Sequence, residues 1–230
     1  MSVRVLITGA SRGIGLEFVR QYLDQGARVF AAARSPGEGE LLRLVERYPN
    51  TLSLVTLDIT SELDLPAAVA AVKGQTPGLD VLINNAGMGA KGMSLGTYQR
   101  DTMLKVLHTN AVAPVLVGQA FVELLRKGTA PRIINISSQV GSFSWNKSGM
   151  SPLYAASKTA LNMYTRAFAS EATGVITVAV HPGWVQTDMG GKEAPLTATQ
   201  SVQKLRALIE RLGPKDTGHF FNYDGTLHPY

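Results

Sequence analysis

The chain has 230 residues, 45% of them hydrophobic and 17% charged, with 23 Gly, 11 Pro and no Cys. That length suits one domain, and the apolar fraction is too high for a disordered chain. The missing Cys removes a disulfide framework, a thiolate metal site and a cysteine nucleophile. The net charge of +5 comes from 22 Lys and Arg against 17 Asp and Glu, scattered so that Arg126-Lys127 is the one adjacent basic pair. A nucleic-acid partner calls for a basic run or a basic stretch interleaved with aromatics, so the surplus reads as solvated surface charge.

Residues 1–10 hold a three-residue apolar run, Val5-Leu6-Ile7, that meets Thr8-Gly9, too short for the apolar region of a signal peptide. No stretch approaches the roughly 20 apolar residues of a spanning helix. A cytoplasmic protein with no membrane partner is expected, and no metal site.

Short apolar runs rich in branched residues recur at 3–8, 27–33, 52–57, 81–84, 132–137 and 175–181. Between them the periodicity turns helical; in 14–24, Ile14, Phe18 and Tyr22 fall four apart with Leu23 alongside. Strands apolar almost throughout, alternating with helices, predict parallel strands buried on both faces. The expected fold is α/β, a single-domain Rossmann fold with a doubly wound parallel sheet of about seven strands. No linker or repeat divides the chain, so one domain is expected over 1–230. Residues 190–199 are the least regular stretch and are expected to form a mobile loop beside a site.

Thr8-Gly9-Ala10-Ser11-Arg12-Gly13-Ile14-Gly15 joins the first strand to the first helix. Gly9 allows a sharp turn, Gly13 lets the backbone approach a pyrophosphate, and Gly15 permits close packing. The helix N-terminus adds N–H donors and positive potential. About 20 residues further on, an NAD-binding fold carries Asp or Glu for the ribose 2′-OH. Here Ala33 is followed by Arg34. A carboxylate would repel a 2′-phosphate and a guanidinium can clamp it. With Arg12 reaching from the glycine turn, the cofactor expected is NADP(H) rather than NAD(H).

Tyr154 and Lys158 open a helical stretch that runs to about residue 172, and residues four apart share a helix face. A cation near a phenol favours the phenolate, so Lys158 is expected to lower the Tyr154 pKa toward neutral. Ser137 and Ser138 end the fifth strand, where doubly wound sheets place ligands; either hydroxyl could donate to a carbonyl oxygen.

The Gly-xxx-Gly-x-Gly spacing resembles that of the short-chain dehydrogenases/reductases, and further motifs follow in that family's order. The resemblance implies cofactor contacts from Gly9, Ser11, Arg12, Gly13, Ile14 and Arg34, and from Asp58 and Ile59 beside the adenine. It implies further contacts from Asn85, Ala86 and Gly87 in the Asn-Asn-Ala-Gly motif. Tyr154 and Lys158 would contact the nicotinamide ribose, and Pro182, Gly183, Val185 and Thr187 the carboxamide side. The Ile-Ser-Ser-x-x-Gly pattern, completed by Gly141, selects Ser138 as the catalytic serine beside Tyr154 and Lys158. Asn110 matches the position that holds a proton-relay water. The glycine-rich half, about 1–90, would bind cofactor, and 91–230 would carry catalysis and substrate.

The segments 181–191 and 217–226 resemble the C-factor/sniffer-like branch of carbonyl reductases. That implies an NADPH-dependent oxidoreductase acting on a small aldehyde, ketone or quinone. Met88, Gln139, Val140, Trp145, Trp184 and Met189 are expected to line the substrate side. Sixteen positions separate Ser138 from Tyr154, a little more than in most of that family, with Phe143, Trp145, Asn146 and Lys147 between. The alternative is a C-factor-like signalling or regulatory nucleotide-binding protein with little turnover. A methyltransferase would leave Tyr154, Lys158 and Pro182-Gly183 unexplained. The resemblance also implies a homodimer or homotetramer paired through helices near 97–126 and 151–172, where Ala155, Ala156, Ala160, Met163 and Phe168 could serve core or interface.

Overall fold

Branched apolar residues favour extended backbone, and each run becomes a strand. The computed structural model describes residues 2–90 and 93–230. It contains β1 (Arg4–Thr8), β2 (Arg28–Ala33), β3 (Leu52–Thr56), β4 (Val81–Asn84), β5 (Arg132–Ile136) and β6 (Ile176–His181). A further strand, β7 (Phe220–Asn222), lies at one edge and is too short to announce itself as a pattern. All pair in parallel in the order β3-β2-β1-β4-β5-β6-β7. The order reverses between β1 and β4, which opens a crevice at their carboxyl ends.

Successive strand residues face opposite sides, so the sheet feeds two cores. Val5 and Ile7 pack with α1 (Gly13–Asp24), α2 (Gly39–Arg47) and α7 (Ala198–Arg211). Leu6, one residue out of phase, packs with α3 (Asp64–Lys73) and α5 (Ala113–Leu125) on the other face. Phe168, on α6 (Pro152–Glu171), joins that second core. Burial on both faces explains why the strands read as continuous apolar runs.

The helix expected over 97–126 is divided. α4 (Arg100–Leu107) and α5 flank a wide turn, His108–Val112, across which the Ala113 N–H reaches back five residues to the His108 carbonyl. Such wide turns appear frequently at functional sites.

At the opposite end of the sheet, Asp80 leads into β4 and organises charge. Its carboxylate accepts from Arg4 N at 2.8 Å, Arg4 Nε at 2.9 Å, Arg4 Nη2 at 2.7 Å and Thr129 N at 2.6 Å. Burial would push its pKa up, but the bonds from Arg4 and Thr129 outweigh that and hold it below the usual carboxylate value.

Residues 190–199, expected to be mobile, are tied down. Leu196 bridges Val185, Gln186 N donates to Leu196 O at 2.8 Å, and Gln186 Nε2 donates to Ala194 O at 2.9 Å. Thr197 and Gln200 form a reciprocal cap on α7, so the segment's end already belongs to that helix. Among the described residues no helix is long and apolar enough to cross a membrane, and no group of three or more ligating side chains could hold a metal ion.

Candidate active site

The sequence-predicted residues gather along the carboxyl edge of β1, β4, β5 and β6. After β1 the chain turns at Gly9, whose φ is +64°; a Cβ there would stand 2.8 Å from Ala86 Cα. Gly15 rests on the same turn, since its Cβ would lie 2.3 Å from Gly9 O. Neither contact tolerates a side chain. Asn85 shapes this turn from the β4 side, donating through Nδ2 to Thr8 O at 3.0 Å and Gly9 O at 3.1 Å. Thr8 Oγ1 returns the tie by accepting Asn85 N at 3.1 Å and Ala86 N at 3.2 Å. The Asn85 side chain is thus spent on shaping the turn. Ser11, Arg12 and Gly13 are left exposed at the start of α1, which has no side-chain cap.

Arg34 is exposed at the end of β2. Asp58 is held by Thr60, which donates through N at 2.9 Å and Oγ1 at 2.7 Å. Those bonds, with Arg34 and His108 nearby, depress its pKa. Ile59 is buried, Ala86 half-buried and Gly87 exposed. Arg12, expected with Arg34 at a 2′-phosphate, also has a partner within the chain. Its Nη1 pairs with Asp188 at 2.7 Å, joining the glycine turn to the loop after β6.

That loop approaches the glycine turn directly. Thr187 Cγ2 lies 3.4 Å from where a Cβ on Gly13 would stand. Pro182 O accepts Ser201 Oγ at 2.6 Å, Gly183 has φ +84°, and Val185 is buried against Leu196. The Thr187 hydroxyl accepts Gly190 N at 3.1 Å, within its own loop. Trp184 Nε1 donates to Gly190 O at 2.8 Å, and Met189 stands beside Gly89.

The two serines separate. Ser137 is buried and donates to Asn162 Oδ1 at 2.6 Å, so it belongs to the packing of β5 against α6. Ser138 is half-buried beside Tyr154, and its Oγ accepts Val140 N at 3.4 Å. Lys158, one turn along α6, is only 4% exposed and donates from Nζ to Ile136 O at 2.8 Å. Its Nζ lies 5.7 Å from the centre of the Tyr154 ring.

The expected lowering of the Tyr154 pKa is corrected here. Burial pushes the phenol up to about 12, and the neighbouring Ser138 only partly opposes it. Burial also pushes the Lys158 ammonium down to about 8. Desolvation, invisible in the sequence, outweighs the charge effect that the Tyr-xxx-Lys spacing suggested.

Asn110 lies in the wide turn and is fully buried. Its Oδ1 accepts Met88 N at 2.8 Å, and its Nδ2 donates to Met88 O at 2.8 Å and Ser157 Oγ at 3.0 Å. Ser157 Oγ in turn donates to Tyr154 O at 2.7 Å, so Asn110 is linked to the backbone of Tyr154. Ser157 and Asn162 were not singled out from the sequence; their positions on the face of α6 shared with Lys158 and Leu161 were the available signal. Gln139 and Val140 are half-buried, while Trp145, Trp184 and Met189 stay largely exposed on loops.

A doubly wound parallel sheet with a glycine turn at its reversal point, and Ser138, Tyr154 and Lys158 at the same edge, defines a Rossmann-type oxidoreductase. The chain belongs to the short-chain dehydrogenase/reductase family: the family profile described as short chain dehydrogenase matches residues 3–196. It is 40% identical to C-signal of Myxococcus xanthus over 154 residues, 66% of this chain and 93% of that protein. A short-chain dehydrogenase of Neurospora crassa is 32% identical over 253 aligned positions, covering 100% of this chain and 98% of its own. Among solved structures, NADPH-bound carbonyl reductase from chicken fatty liver superposes with a TM-score of 0.91 at 37% identity. Carbonyl reductase Sniffer of D. melanogaster superposes at 0.94 with 33% identity, and both comparisons cover 100% of each chain.

Proposed function

We propose that this chain is an NADPH-dependent reductase of small carbonyl compounds: aldehydes, ketones or quinones. The observation that carries the reading is the half-buried Tyr154 beside Ser138, with the buried Lys158 one helical turn along α6 and its Nζ 5.7 Å from the centre of the phenol ring. The residues present suit the phosphorylated nucleotide. The tight cradle at Gly9 and Gly15 leaves the first N–H groups of α1 uncapped, and Ala33 stands where a carboxylate would repel a 2′-phosphate. Arg12, Ser11, Gly13 and Ile14 would hold the phosphates with Arg34. Asp58 and Ile59 would border the adenine, and the loop from Pro182 to Thr187 the nicotinamide. The NADPH of the chicken enzyme supports this choice.

Bound NADPH supplies the hydride. The Ser138 hydroxyl donates to the substrate oxygen and orients it, and Tyr154 delivers its proton to that oxygen. Lys158, still largely charged at neutral pH, stabilises the phenolate that Tyr154 becomes. Asn110 positions Tyr154 through Ser157. A Cβ on Gly87 would stand 3.2 Å from the Asn110 Oδ1 and 3.7 Å from Lys158 Nζ, so both groups gather beside this glycine, which suits a relay to solvent. Trp145, Trp184, Met189, Met88, Gln139 and Val140 form the apolar rim. The exposed Leu104, Val112, Met163 and Tyr164 on α4, the turn and α6 support pairing of two or four copies.

The test is NADPH oxidation against a panel of carbonyl compounds. Loss of the proton donor in Tyr154→Phe is expected to reduce kcat at least about a hundredfold, with NADPH binding retained. Unchanged turnover in that variant refutes the mechanism. The 40% identity to C-signal supports a second reading, nucleotide binding in a signalling role. Tight NADPH binding with no carbonyl turned over would favour it.

A further inference from the structure

We propose that the segment after β7, anchored by Tyr230, positions the loop between Ser138 and Tyr154 and so sets which carbonyl compounds the site accepts. This rests on the function proposed above for its substrate part alone.

Beyond β7 the chain reverses, with Asn222 N donating to Thr226 O at 2.8 Å and Gly225 N to Asn222 O at 2.8 Å. The returning stretch pairs Leu227 with Phe221, and His228 N donates to Phe220 O at 2.8 Å. The His228 ring is buried 4.6 Å from the ring of Phe220. Tyr230 is then fixed from three sides. Its ring lies 5.8 Å from Phe220, the Arg166 guanidinium of α6 stands 5.9 Å over it, and its hydroxyl donates to Gly218 O at 2.6 Å.

What this anchor holds is Ser144. The Tyr230 carbonyl accepts Ser144 N at 3.4 Å and Ser144 Oγ at 3.0 Å. Every other hydrogen bond of residues 142–150, among the described residues, stays within 139–150. Trp145 N donates to Ser142 Oγ at 3.2 Å, Asn146 Nδ2 to Val140 O and Met150 O at 3.0 Å each, and Met150 N to Asn146 Oδ1 at 2.8 Å. The loop is a self-bonded unit joined to the distant tail through Ser144. Beyond the buried Ser142, burial does little to locate it, because Phe143 is 81% exposed, Met150 53% and Trp145 42%. A unit with apolar side chains in water keeps a fixed position only where polar contacts impose one, and here they come from Tyr230. Since Ser138 and Tyr154 flank this loop, its position fixes where Trp145 stands relative to their hydroxyls. Tyr230 is therefore a positioning residue for substrate.

Trp145 and Trp184 are the two tryptophans of the chain, so Trp184→Phe leaves Trp145 as the sole reporter. In that background Tyr230→Ala and Ser144→Ala are expected to lower the fluorescence anisotropy of Trp145 and raise its quenching by acrylamide. Tyr230→Phe keeps the ring and the backbone carbonyl, and is expected to restore most of the signal. In the otherwise unaltered chain, losing one or two such hydrogen bonds predicts KM for an aromatic ketone raised about five- to tenfold. The same variants should leave kcat for a small aldehyde within about twofold, because the bonds lost lie outside the Ser138–Tyr154 pair. Ser144→Ala removes one hydroxyl from an exposed loop and keeps the test valid if Tyr230→Ala fails to fold. Unchanged anisotropy and quenching in Ser144→Ala and Tyr230→Ala overturn the positioning role. Changed fluorescence with KM unmoved for every carbonyl overturns the substrate part. If the parent reduces no carbonyl, the function proposed above fails, and fluorescence alone still decides whether the tail positions the loop.

Discussion

Replacing Lys158 with Met should make the protein more stable at neutral pH. The Lys158 ammonium is almost wholly buried and its pKa is pushed from 10.5 down to about 8. A gap of that size corresponds to about 3 kcal/mol, at about 1.4 kcal/mol for each unit. The sign follows from proton uptake. The unfolded chain holds this proton up to its ordinary value and the folded chain releases it near 8, so unfolding takes up a proton between the two. Wild-type stability is therefore lowest below pH 8 and rises as pH climbs through 8 toward 10.5. Met fills nearly the same volume without a charge, which removes the desolvation penalty. It also loses the charged bond to Ile136 O, worth about 1–3 kcal/mol. The net expectation at pH 7 is a gain of up to about 2 kcal/mol, or as much as a few degrees in Tm. Above pH 10 the order should invert, because only the lost bond remains. Urea unfolding at 25 °C, followed by tryptophan fluorescence at pH 7 and pH 10, reads both. A variant that is less stable at pH 7, by a margin that does not change with pH, would refute the claim that Lys158 is held as a desolvated cation.

Two further expectations follow from ion pairs. Asp80→Ala strips four hydrogen bonds and strands the partly buried Arg4 charge. It should cost about 3–5 kcal/mol, read as a fall in the urea midpoint, and a loss below about 1 kcal/mol would contradict this account. Because the Asp80 pKa is depressed, its contribution is present above about pH 4 and disappears as pH falls through the folded value. Asp188→Asn releases Arg12 from an exposed ion pair. Such pairs are worth at most about 1 kcal/mol, so on the proposed cofactor reading NADPH should bind up to about fivefold tighter, with NADH little changed. Calorimetric titration of both nucleotides checks this, and an unaltered ratio of the two affinities counts against it.

Much of the fold was legible because both faces of the sheet are buried. Six apolar runs could hardly become anything but parallel strands between helices, whereas their order is set by long-range pairing that only the structure shows. β7 escaped because three residues carry no period. The site was legible as residue types at sheet ends, but its finer assignments depended on partners remote in sequence. The Ile-Ser-Ser-x-x-Gly pattern selects Ser138 over Ser137 by resemblance alone; the physical cause is Asn162, which takes the Ser137 hydroxyl. The pairing of Arg12 with Asp188 spans 176 positions and leaves no trace in either segment. The tyrosine misreading has the same origin. Spacing reveals that Lys158 shares a face with Tyr154, whereas the burial that governs both groups is a property of the assembled fold.

The wide turn at His108–Val112 has a consequence for how this helical stretch tolerates length changes. One extra residue in a turn rotates everything beyond it by about 100° relative to an unbroken helix. α4 and α5 are thus two rods in different angular phase, coupled at the residue that grips Met88 and Ser157. Removing one position inside the turn would bring the rods into phase and swing Asn110 away from both partners. A single-residue deletion upstream in α4 would spin only the outer rod. The turn therefore acts as an angular gearing point, and a shift in reading register along α4 need not reach the chemistry at the sheet edge.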